Sequence, residues 1–384
     1  MHIIYLLLII CIILEVIIDN NNIYDNYSNY NMWFSKKDIN ISTIIPLNDI
    51  KGYVLPHAST KYTGDIISHT LRFKPKFRFN KVKIIYYPSS IKPNVRNTYH
   101  EYYVPYNCIR YVIETYWKIK RGIDYSGYNV LNGIDSIQYE PNCLYIVSAD
   151  FSHYLPLQKA ISLENRAAHA LLHQYINNAS YLDTVDHIDS FRTLYNIINN
   201  QNIYLQWIGR TRSPGIEAVG YLSFILRQSE HYEPDGLFVT AYDRNMNQRE
   251  CLGIWFDKNQ WNQRLEDNKV KEVIKKAKTT SRLTNGKFIN IPITHYTVTY
   301  LYEDLDNSFI RGWHGIRYNA FYLPNVILEN TYNNGKWIDF NDIEWSIGSN
   351  FNMNETLTQL TIKGGNNHSS DIQLYSSTEK HITI

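Results

Sequence analysis

The chain has 384 residues, of which 44% are hydrophobic and 19% charged, so it has enough apolar side chains for packed cores. Lys and Arg total 38 and Asp and Glu total 36, and the resulting net charge of +2 argues against a protein built mainly to hold nucleic-acid backbones. Four cysteines without a Cys-x-x-Cys pair exclude a disulfide scaffold and a thiolate zinc cage. We therefore expect two or three domains and no nucleic-acid partner.

A hydrophobic run occupies residues 3–14, and Glu15 interrupts it before a stretch rich in Asn and Tyr. A spanning helix needs ~20 apolar residues, which this run reaches only by burying Glu15. The run has no Lys or Arg before it and no Ala-x-Ala cleavage site after it. We predict a signal or signal-anchor segment over residues 1–18, which targets the membrane or the secretory pathway, and a polar linker over 19–44. A buried first element in a cytoplasmic protein is the alternative.

Strand patterns dominate the first half of the remaining chain. Residues 50–58, 81–87 and 143–150 are apolar, rich in β-branched side chains and bounded by turn residues, which predicts buried strands. A helical pattern follows at 156–176, with Ser162 as a candidate N-cap. A strand followed by a helix, repeated, predicts an α/β fold with a mostly parallel sheet.

The pattern changes after about residue 220. Two alternating segments, 236–242 and 293–302, predict strands, and a charged helix is predicted between them at 262–278. The turn-prone sequence RSPG at 212–215 predicts a domain boundary nearby. The predicted units are a first domain at 45–218, an α+β domain at 219–350 and a polar tail without a core signal at 351–384.

Three polar side chains follow predicted strands of the first domain. His57 comes after one strand, and Asp150 and His153 come after another. Functional groups gather at the carboxyl ends of parallel strands, and two imidazoles with one carboxylate are the ligand set of non-haem iron(II) sites. We therefore take these residues as candidate metal ligands. A structural role, in which Asp150 orients a histidine and caps the next helix, is the alternative.

A second polar cluster lies in the segment YLDTVDHIDS. Its titratable residues are Asp183, Asp186, His187 and Asp189. Their spacing is compatible with a metal site, but a polar loop between two helices has the same composition. We interpret this segment as such a loop.

Several motifs resemble those of two known families. VLPHASTKYTGDI (54–66), HEYYVPY (100–106), VSADFSHY (147–154) and QWIGRT (206–211) resemble motifs of the Memo family, also called AmmeMemoRadiSam protein B. PDGLFVTAY, QRECLGIW and the later GWHGIRYNAFYLPNVILENTYNNGKW resemble motifs of the AMMECR domain. The resemblance implies a fold similar to class III extradiol dioxygenases, followed by an α+β AMMECR-like domain.

The Memo resemblance also implies a metal site, which is incomplete in this chain. Members of the family bind iron or copper through two His and one Cys. Ser90 stands at the position of the second His and Ile208 at that of the Cys, and neither replaces an imidazole or a thiolate as a ligand. The family's functional residue types are retained at His57, Asp150, His153 and Glu101.

The AMMECR resemblance points to a different candidate site. Cys251 and Arg249 fall on the family's Cys and Arg, while Glu250 replaces a Gly. A thiol beside a cation is a candidate nucleophile, so we take Arg249 and Cys251, with Glu101, as candidate catalytic residues. The alternative for Cys251 is a small buried apolar residue.

These observations predict a membrane-targeted Memo–AMMECR fusion with a degraded metal site, kept as a binding or structural protein for an unknown protein partner. The alternative is a metal-dependent oxidoreductase or modification enzyme. Its site, holding iron or copper, would be rebuilt from His57, Asp150 and His153. A fold resemblance does not by itself establish a reaction.

Overall fold

The computed structural model describes residues 38–40, 43–88, 104–117, 123–132, 137–175, 177, 179–215, 218–228, 233–256, 260–278, 292–304, 314–318, 320–329, 332–333, 336–337, 353–364 and 371–384. Within these residues the chain forms two six-stranded sheets, two strand pairs and eight α-helices. The strands are β1 Ile45–Leu47, β2 Ile50–Leu55, β3 Phe73–Pro75, β4 Lys81–Tyr86, β5 Asp124–Asn129, β6 Cys143–Ser148, β7 Tyr204–Arg212, β8 Gly220–Arg227, β9 Gly236–Asp243, β10 Gln248–Trp255, β11 Ile293–Glu303, β12 Gly315–Tyr318, β13 Ala320–Tyr322, β14 Tyr332–Asn333, β15 Lys336–Trp337 and β16 Gln373–Thr383. The helices are α1 Thr60–Leu71, α2 Val104–Tyr116, α3 Leu157–Leu172, α4 Ala179–Leu182, α5 Ile188–Ile198, α6 Gln263–Ala277, α7 Pro324–Glu329 and α8 Met353–Gly364.

The first sheet has the order β5-β4-β6-β2-β8-β7. Its strands β5, β4, β6 and β2 are parallel, whereas β8 and β7 are antiparallel to their neighbours. Successive side chains of a strand point to opposite faces, so Tyr53 packs with Ile67 of α1 and Ile109 of α2, while Val54 packs with Leu171 of α3 and Leu194 of α5. Helices therefore cover both faces, and the mixed α/β class is confirmed.

The second sheet has the order β10-β9-β11-β16-β12-β13 and is antiparallel. Strand β16 comes from residues 351–384, which were predicted to be a polar tail; this prediction is wrong. Leu374 and Tyr375 are buried, and so are the Ser and Thr residues that follow them. Because these Ser and Thr residues are polar, the sequence of this internal strand has low hydropathy. Helix α3 packs against β16 and extends the apolar core of the first sheet to the second.

The boundary between the two sheets lies later in the sequence than predicted. The turn at RSPG does not separate domains, because β7 and β8 on either side of it pair antiparallel, with Thr211 opposite Tyr221. The first sheet therefore continues to Arg227, and the second begins with β9 at Gly236. This corrects the predicted boundary between 45–218 and 219–350.

The other predicted elements agree with the structure. The three apolar runs form β2, β4 and β6, and the later segments form β9, α6 and β11. The predicted N-cap Ser162 is wrong, because α3 begins at Leu157 with Pro156 at its cap position, which places Ser162 inside the helix. Asn262 caps α6 by accepting a hydrogen bond from the backbone N–H of Leu265 at 3.1 Å.

The prediction of a membrane-anchored protein is corrected for the part of the chain that the structure describes. No helix in that part is both long enough and apolar enough to cross a bilayer. The hydrophobic run at residues 3–14 lies outside the described residues.

A buried histidine at the end of α1 predicts an acid sensitivity of the fold. Burial, Arg72 and His314 lower the pKa of His69 to about 2. The unfolded chain takes up a proton here as the pH falls through about 6.5, and the folded chain does so only near pH 2. Between these values His69 should reduce the free energy of unfolding, by about 1.4 kcal/mol per pH unit once the unfolded histidine is fully protonated below about pH 5.5. Replacing His69 by glutamine should make the free energy of unfolding, measured by urea titration, depend less steeply on pH. The slope should fall by the amount that corresponds to one bound proton. At about pH 8 His69 is neutral in both the folded and the unfolded state. The difference in stability between wild type and variant at that pH therefore measures the effects of the substitution that do not involve the proton. An unchanged slope would contradict the expectation.

Candidate functional site

The first candidate residues lie where the central strands of the first sheet end. Strands β2 and β6 are parallel neighbours, and Leu55 at the end of β2 pairs with Ser148 at the end of β6. His57 follows β2 after one proline, and Asp150 follows β6 after Ala149. The carboxyl ends of parallel strands share one edge of a sheet, so the two side chains meet there.

The ring and the backbone of His57 are both held in place. Its backbone N–H donates to Oδ1 of Asp150 at 2.9 Å, and its Nδ1 lies 3.1 Å from Oγ of Ser148. The Ser148 hydroxyl donates its only proton to the carbonyl oxygen of Pro105 at 2.7 Å, so it accepts a hydrogen bond from His57. We therefore assign the proton of neutral His57 to Nδ1, which leaves a lone pair on Nε2.

Two carboxylates face this nitrogen. Nε2 of His57 lies 3.7 Å from Oδ2 of Asp150 and 3.6 Å from Oδ2 of Asp186. Both distances exceed the roughly 3.2 Å of an N–H···O hydrogen bond. The backbone N–H of Asp186 donates to the carbonyl oxygen of Asp150 at 3.1 Å, which fixes the two carboxylate-bearing segments against each other.

Asp150 is the innermost carboxylate of this group. It is 5% exposed, and burial raises the pKa of its carboxyl. His57 opposes this rise, because a nearby imidazolium would favour the carboxylate, and Asp186 adds to it. A buried carboxylate of this kind gains stability from any positive charge that enters the group.

His153 joins the group through Asp186 and lies nearer to solvent. Its Nε2 is 3.8 Å from Oδ1 of Asp186, the oxygen that does not face His57. The exposed fraction of the side chains is 7% for Asp150, 15% for His57, 25% for Asp186 and 36% for His153. The group therefore opens to solvent on the side of His153.

An aromatic pair and a cysteine lie close by. The ring of Tyr87 stacks on His187 with the ring centroids 3.5 Å apart, and burial lowers the pKa of His187. Cys108 of α2 is fully buried, and burial together with Asp150 raises the pKa of its thiol. A thiol in this environment stays protonated, which argues against Cys108 as a thiolate ligand.

The side chains around His57 are of the types that bind metal ions, but their donor atoms lie slightly too far apart for a formed site. Among the described residues, no three His, Cys, Asp or Glu side chains converge as they do in a formed metal site. Ligands of a tetrahedral zinc ion are about 3.4 Å apart when each bond is about 2.1 Å long. The separations of 3.6 and 3.7 Å at Nε2 of His57 exceed this by a few tenths of an ångström.

The remaining predicted residues lie elsewhere. Arg249 and Cys251 are on β10, at the edge of the second sheet, and they do not join the group around His57. Ile208, which the motif resemblance aligns with a ligand Cys, is 1% exposed and packs in the apolar core of the first sheet. Glu101 and Ser90 lie outside the described residues.

Asp186 is the residue that the sequence interpretation missed. The segment from Asp183 to Asp189 was predicted to be a polar loop, and most of it does connect α4 and α5. Its contact with His57 arises because α5 packs against β4 and β6, which brings the start of the helix to the edge where these strands end. The only sequence signal was the density of acidic residues in the loop.

Comparisons with known proteins give no family for this chain. No family model matches it, and no curated protein is significantly similar to it. The resemblance to the Memo and AMMECR families therefore remains a prediction from the motifs.

Proposed function

We propose that this chain is a diverged relative of Memo proteins joined to an AMMECR-like domain, and that it binds a divalent transition-metal ion through His57, Asp150 and Asp186. The observation that carries the proposal is the position of Nε2 of His57, which faces two carboxylates outside hydrogen-bonding distance. The proposal is the rebuilt-site alternative of the sequence interpretation with Asp186 in place of His153 as the third ligand.

A positive charge would stabilise this arrangement. A lone pair and two carboxylates repel one another, and the repulsion is strong because Asp150 is buried. A proton on Nε2 would relieve part of the repulsion by forming an imidazolium. A divalent cation would satisfy all three donors at once, and the bond of Nδ1 to Ser148 resembles the hydrogen bond that orients many metal-bound histidines.

The donor types indicate which metals are favoured. Carboxylate oxygens and imidazole nitrogens suit iron(II), manganese(II) and zinc(II), whereas copper(I) prefers thiolate and thioether ligands. The thiolate position of the Memo family is Ile208 here, which is buried among apolar side chains. We therefore favour iron(II), manganese(II) or zinc(II) over copper(I).

His153 and Asp186 would shape the reactivity of the site. A bound ion would polarise an oxygen of the substrate. His153 is the most exposed member of the group, so it is placed to exchange a proton with a ligand that enters from solvent. The second carboxylate oxygen of Asp186 lies 3.8 Å from Nε2 of His153.

A second candidate function is a binding or structural protein that retains the fold without metal. It is supported by Ile208, which the motif resemblance aligns with the family's ligand Cys and which is buried in the apolar core. Under this alternative the group around His57 holds no ion.

Replacing Asp186 by asparagine distinguishes the two candidates. If Asp186 is a ligand, the substitution should weaken manganese(II) or iron(II) binding by about tenfold or more, because a neutral amide is a poorer ligand than a carboxylate. Isothermal titration calorimetry of the full chain measures the change. The matched control is Asp189→Asn, because Asp189 is 45% exposed and pairs with Arg192 on the surface. Equal affinities in both variants would remove Asp186 from the site.

A further inference from the structure

Two histidines lie about one helical turn apart at the end of α3, apart from the group around His57. His169 is in the last turn of the helix and His173 is its C-cap residue. The backbone N–H of His173 donates to the carbonyl oxygen of His169 at 3.1 Å, so the helical geometry extends to the second histidine. Residues four positions apart project from one face of a helix, and two histidines at this spacing can bind the same metal ion.

The two imidazole rings are spaced like those of two ligands of one ion. Their centroids are 4.5 Å apart, and the ring planes are inclined at 50°. With metal–nitrogen bonds of about 2.1 Å and ring centres roughly 1.1 Å behind the nitrogens, two rings bound at about 90° have centroids ~4.5 Å apart. A tetrahedral angle of about 109° would need roughly 5.2 Å. The spacing therefore matches the angle between adjacent ligands in tetragonal or octahedral coordination.

Side chains of the second sheet hold the two rings. Nδ1 of His169 lies 3.5 Å from Oγ1 of Thr378 on β16. Nε2 of His173 lies 3.3 Å from the hydroxyl of Tyr302 on β11. Tyr300 of the same strand stacks on His169 with the ring centroids 4.9 Å apart. Neighbours of this kind orient the rings of metal-bound histidines.

The electrostatic surroundings keep His169 neutral, which is the form that binds a metal. Its side chain is buried, and burial lowers its pKa well below the usual value, with smaller contributions from His173 and Lys380. The charge of Lys380 is balanced by Glu266, whose Oε1 accepts from its Nζ at 3.2 Å. The C-terminal end of α3 also carries a partial negative charge, which favours a cation.

The pair is reached from solvent on the side of His173. This histidine is partly exposed, and Tyr175, whose ring centroid lies 5.7 Å from that of His173, is 55% exposed. Within the described part of the chain, no third His, Cys, Asp or Glu side chain completes a metal-binding group here. Water would therefore occupy the remaining positions around an ion, as it does at open metal sites.

We propose that His169 and His173 together bind a divalent transition-metal ion whose other ligands are water. Imidazole nitrogens suit copper(II), nickel(II) and zinc(II), and the spacing of the rings favours copper(II) or nickel(II). The ion would strengthen the contact of α3 with the second sheet, because the side chains that hold the rings belong to β11 and β16. This site is independent of the metal site proposed around His57.

Nickel(II) titration calorimetry on the full chain, without an affinity tag, tests the proposal. The tested chains carry His57→Ala, so that the metal site proposed around His57 does not contribute. The chain with this substitution alone should bind about one equivalent of nickel(II). Adding His173→Gln should weaken the binding by about tenfold or more, because a single imidazole loses the advantage of two linked ligands.

The matched control is His295→Gln in the same His57→Ala chain. His295 is also partly exposed, and its Nδ1 lies 2.8 Å from the hydroxyl of Thr294. Its removal should leave the nickel(II) affinity within about threefold. Saturating nickel(II) should also raise the thermal unfolding temperature of the His57→Ala chain, and should raise it less once His173→Gln is added.

Two results would overturn the proposal. One is that the His57→Ala chain binds no nickel(II), and the other is that its affinity is the same with and without His173→Gln. Comparing the wild type with His57→Ala reports on the other site alone, so the two proposed sites can fail separately.

Discussion

Replacing His57 by alanine is expected to weaken the binding of iron(II) or manganese(II) by about a hundredfold or more, because it removes the one nitrogen ligand aimed at both carboxylates. Asp150 and Asp186 would then face each other without an imidazole between them. Titration calorimetry on the full chain measures the affinity, and circular dichroism checks that the fold is kept.

The control for this substitution is His187→Phe. His187 adjoins Asp186 in sequence and stacks on Tyr87, and a phenyl ring preserves the stacking while it removes the imidazole. Metal affinity should stay within about threefold of the wild type, since His187 is not one of the proposed ligands. Equal loss in both variants would indicate that the substitutions act through the fold, and unchanged affinity in His57→Ala would exclude His57 as a ligand.

Replacing Arg210 by methionine should lower the free energy of unfolding by about 3–5 kcal/mol, because it leaves a buried carboxylate without its cation. Nη1 of Arg210 lies 3.5 Å from Oε2 of Glu164, and both side chains are at most 4% exposed. Burial raises the pKa of Glu164, and Arg210 opposes the rise. Arg210 also donates to Asn165, which in turn donates to Glu379 of β16 at 3.2 Å. The substitution therefore affects the contact between the two sheets.

The pH dependence identifies the cause of this loss. Without Arg210, the carboxyl of Glu164 should bind a proton more readily, so the stability deficit should shrink as the pH falls from about 8 to about 5. Adding Glu164→Gln to Arg210→Met should restore part of the stability, since the unpaired charge is then gone. The control Arg192→Met breaks an exposed pair with Asp189 and should cost at most about 1 kcal/mol. Urea unfolding measures all four chains, and a loss in Arg210→Met no larger than in Arg192→Met would contradict the prediction.

The sequence predicted the elements whose pattern is local. The runs that form β2, β4 and β6 are continuous and β-branched, as is typical of strands buried on both faces, and α6 has a charged helical pattern with Asn262 at its start. The position of His57 and Asp150 at the ends of neighbouring strands followed from the same reasoning, because parallel pairing brings those ends together.

What the sequence did not predict depends on distant contacts. The sequence of strand β16 has a polar pattern because its buried Ser and Thr residues carry no hydrophobic signal. Its place between β11 and β12 depends on ladder hydrogen bonds to strands that are distant in the sequence. The sequence pattern places Asp186 in a polar loop. Its contact with His57 depends on the packing of α5 against β4 and β6, which the sequence pattern does not contain. The turn at 212–215 has the composition of a linker, but its two strands pair with each other.

The metal content of the full chain tests the central proposal most directly. The protein should be prepared without chelator in the presence of iron and manganese, desalted, and measured by elemental analysis. We predict about one equivalent of a divalent transition metal per chain, because Nε2 of His57 and the two carboxylates that face it define a single site. A chain that retains no metal, and takes up none when iron(II), manganese(II) or zinc(II) is added, would contradict the proposal and favour a retained scaffold.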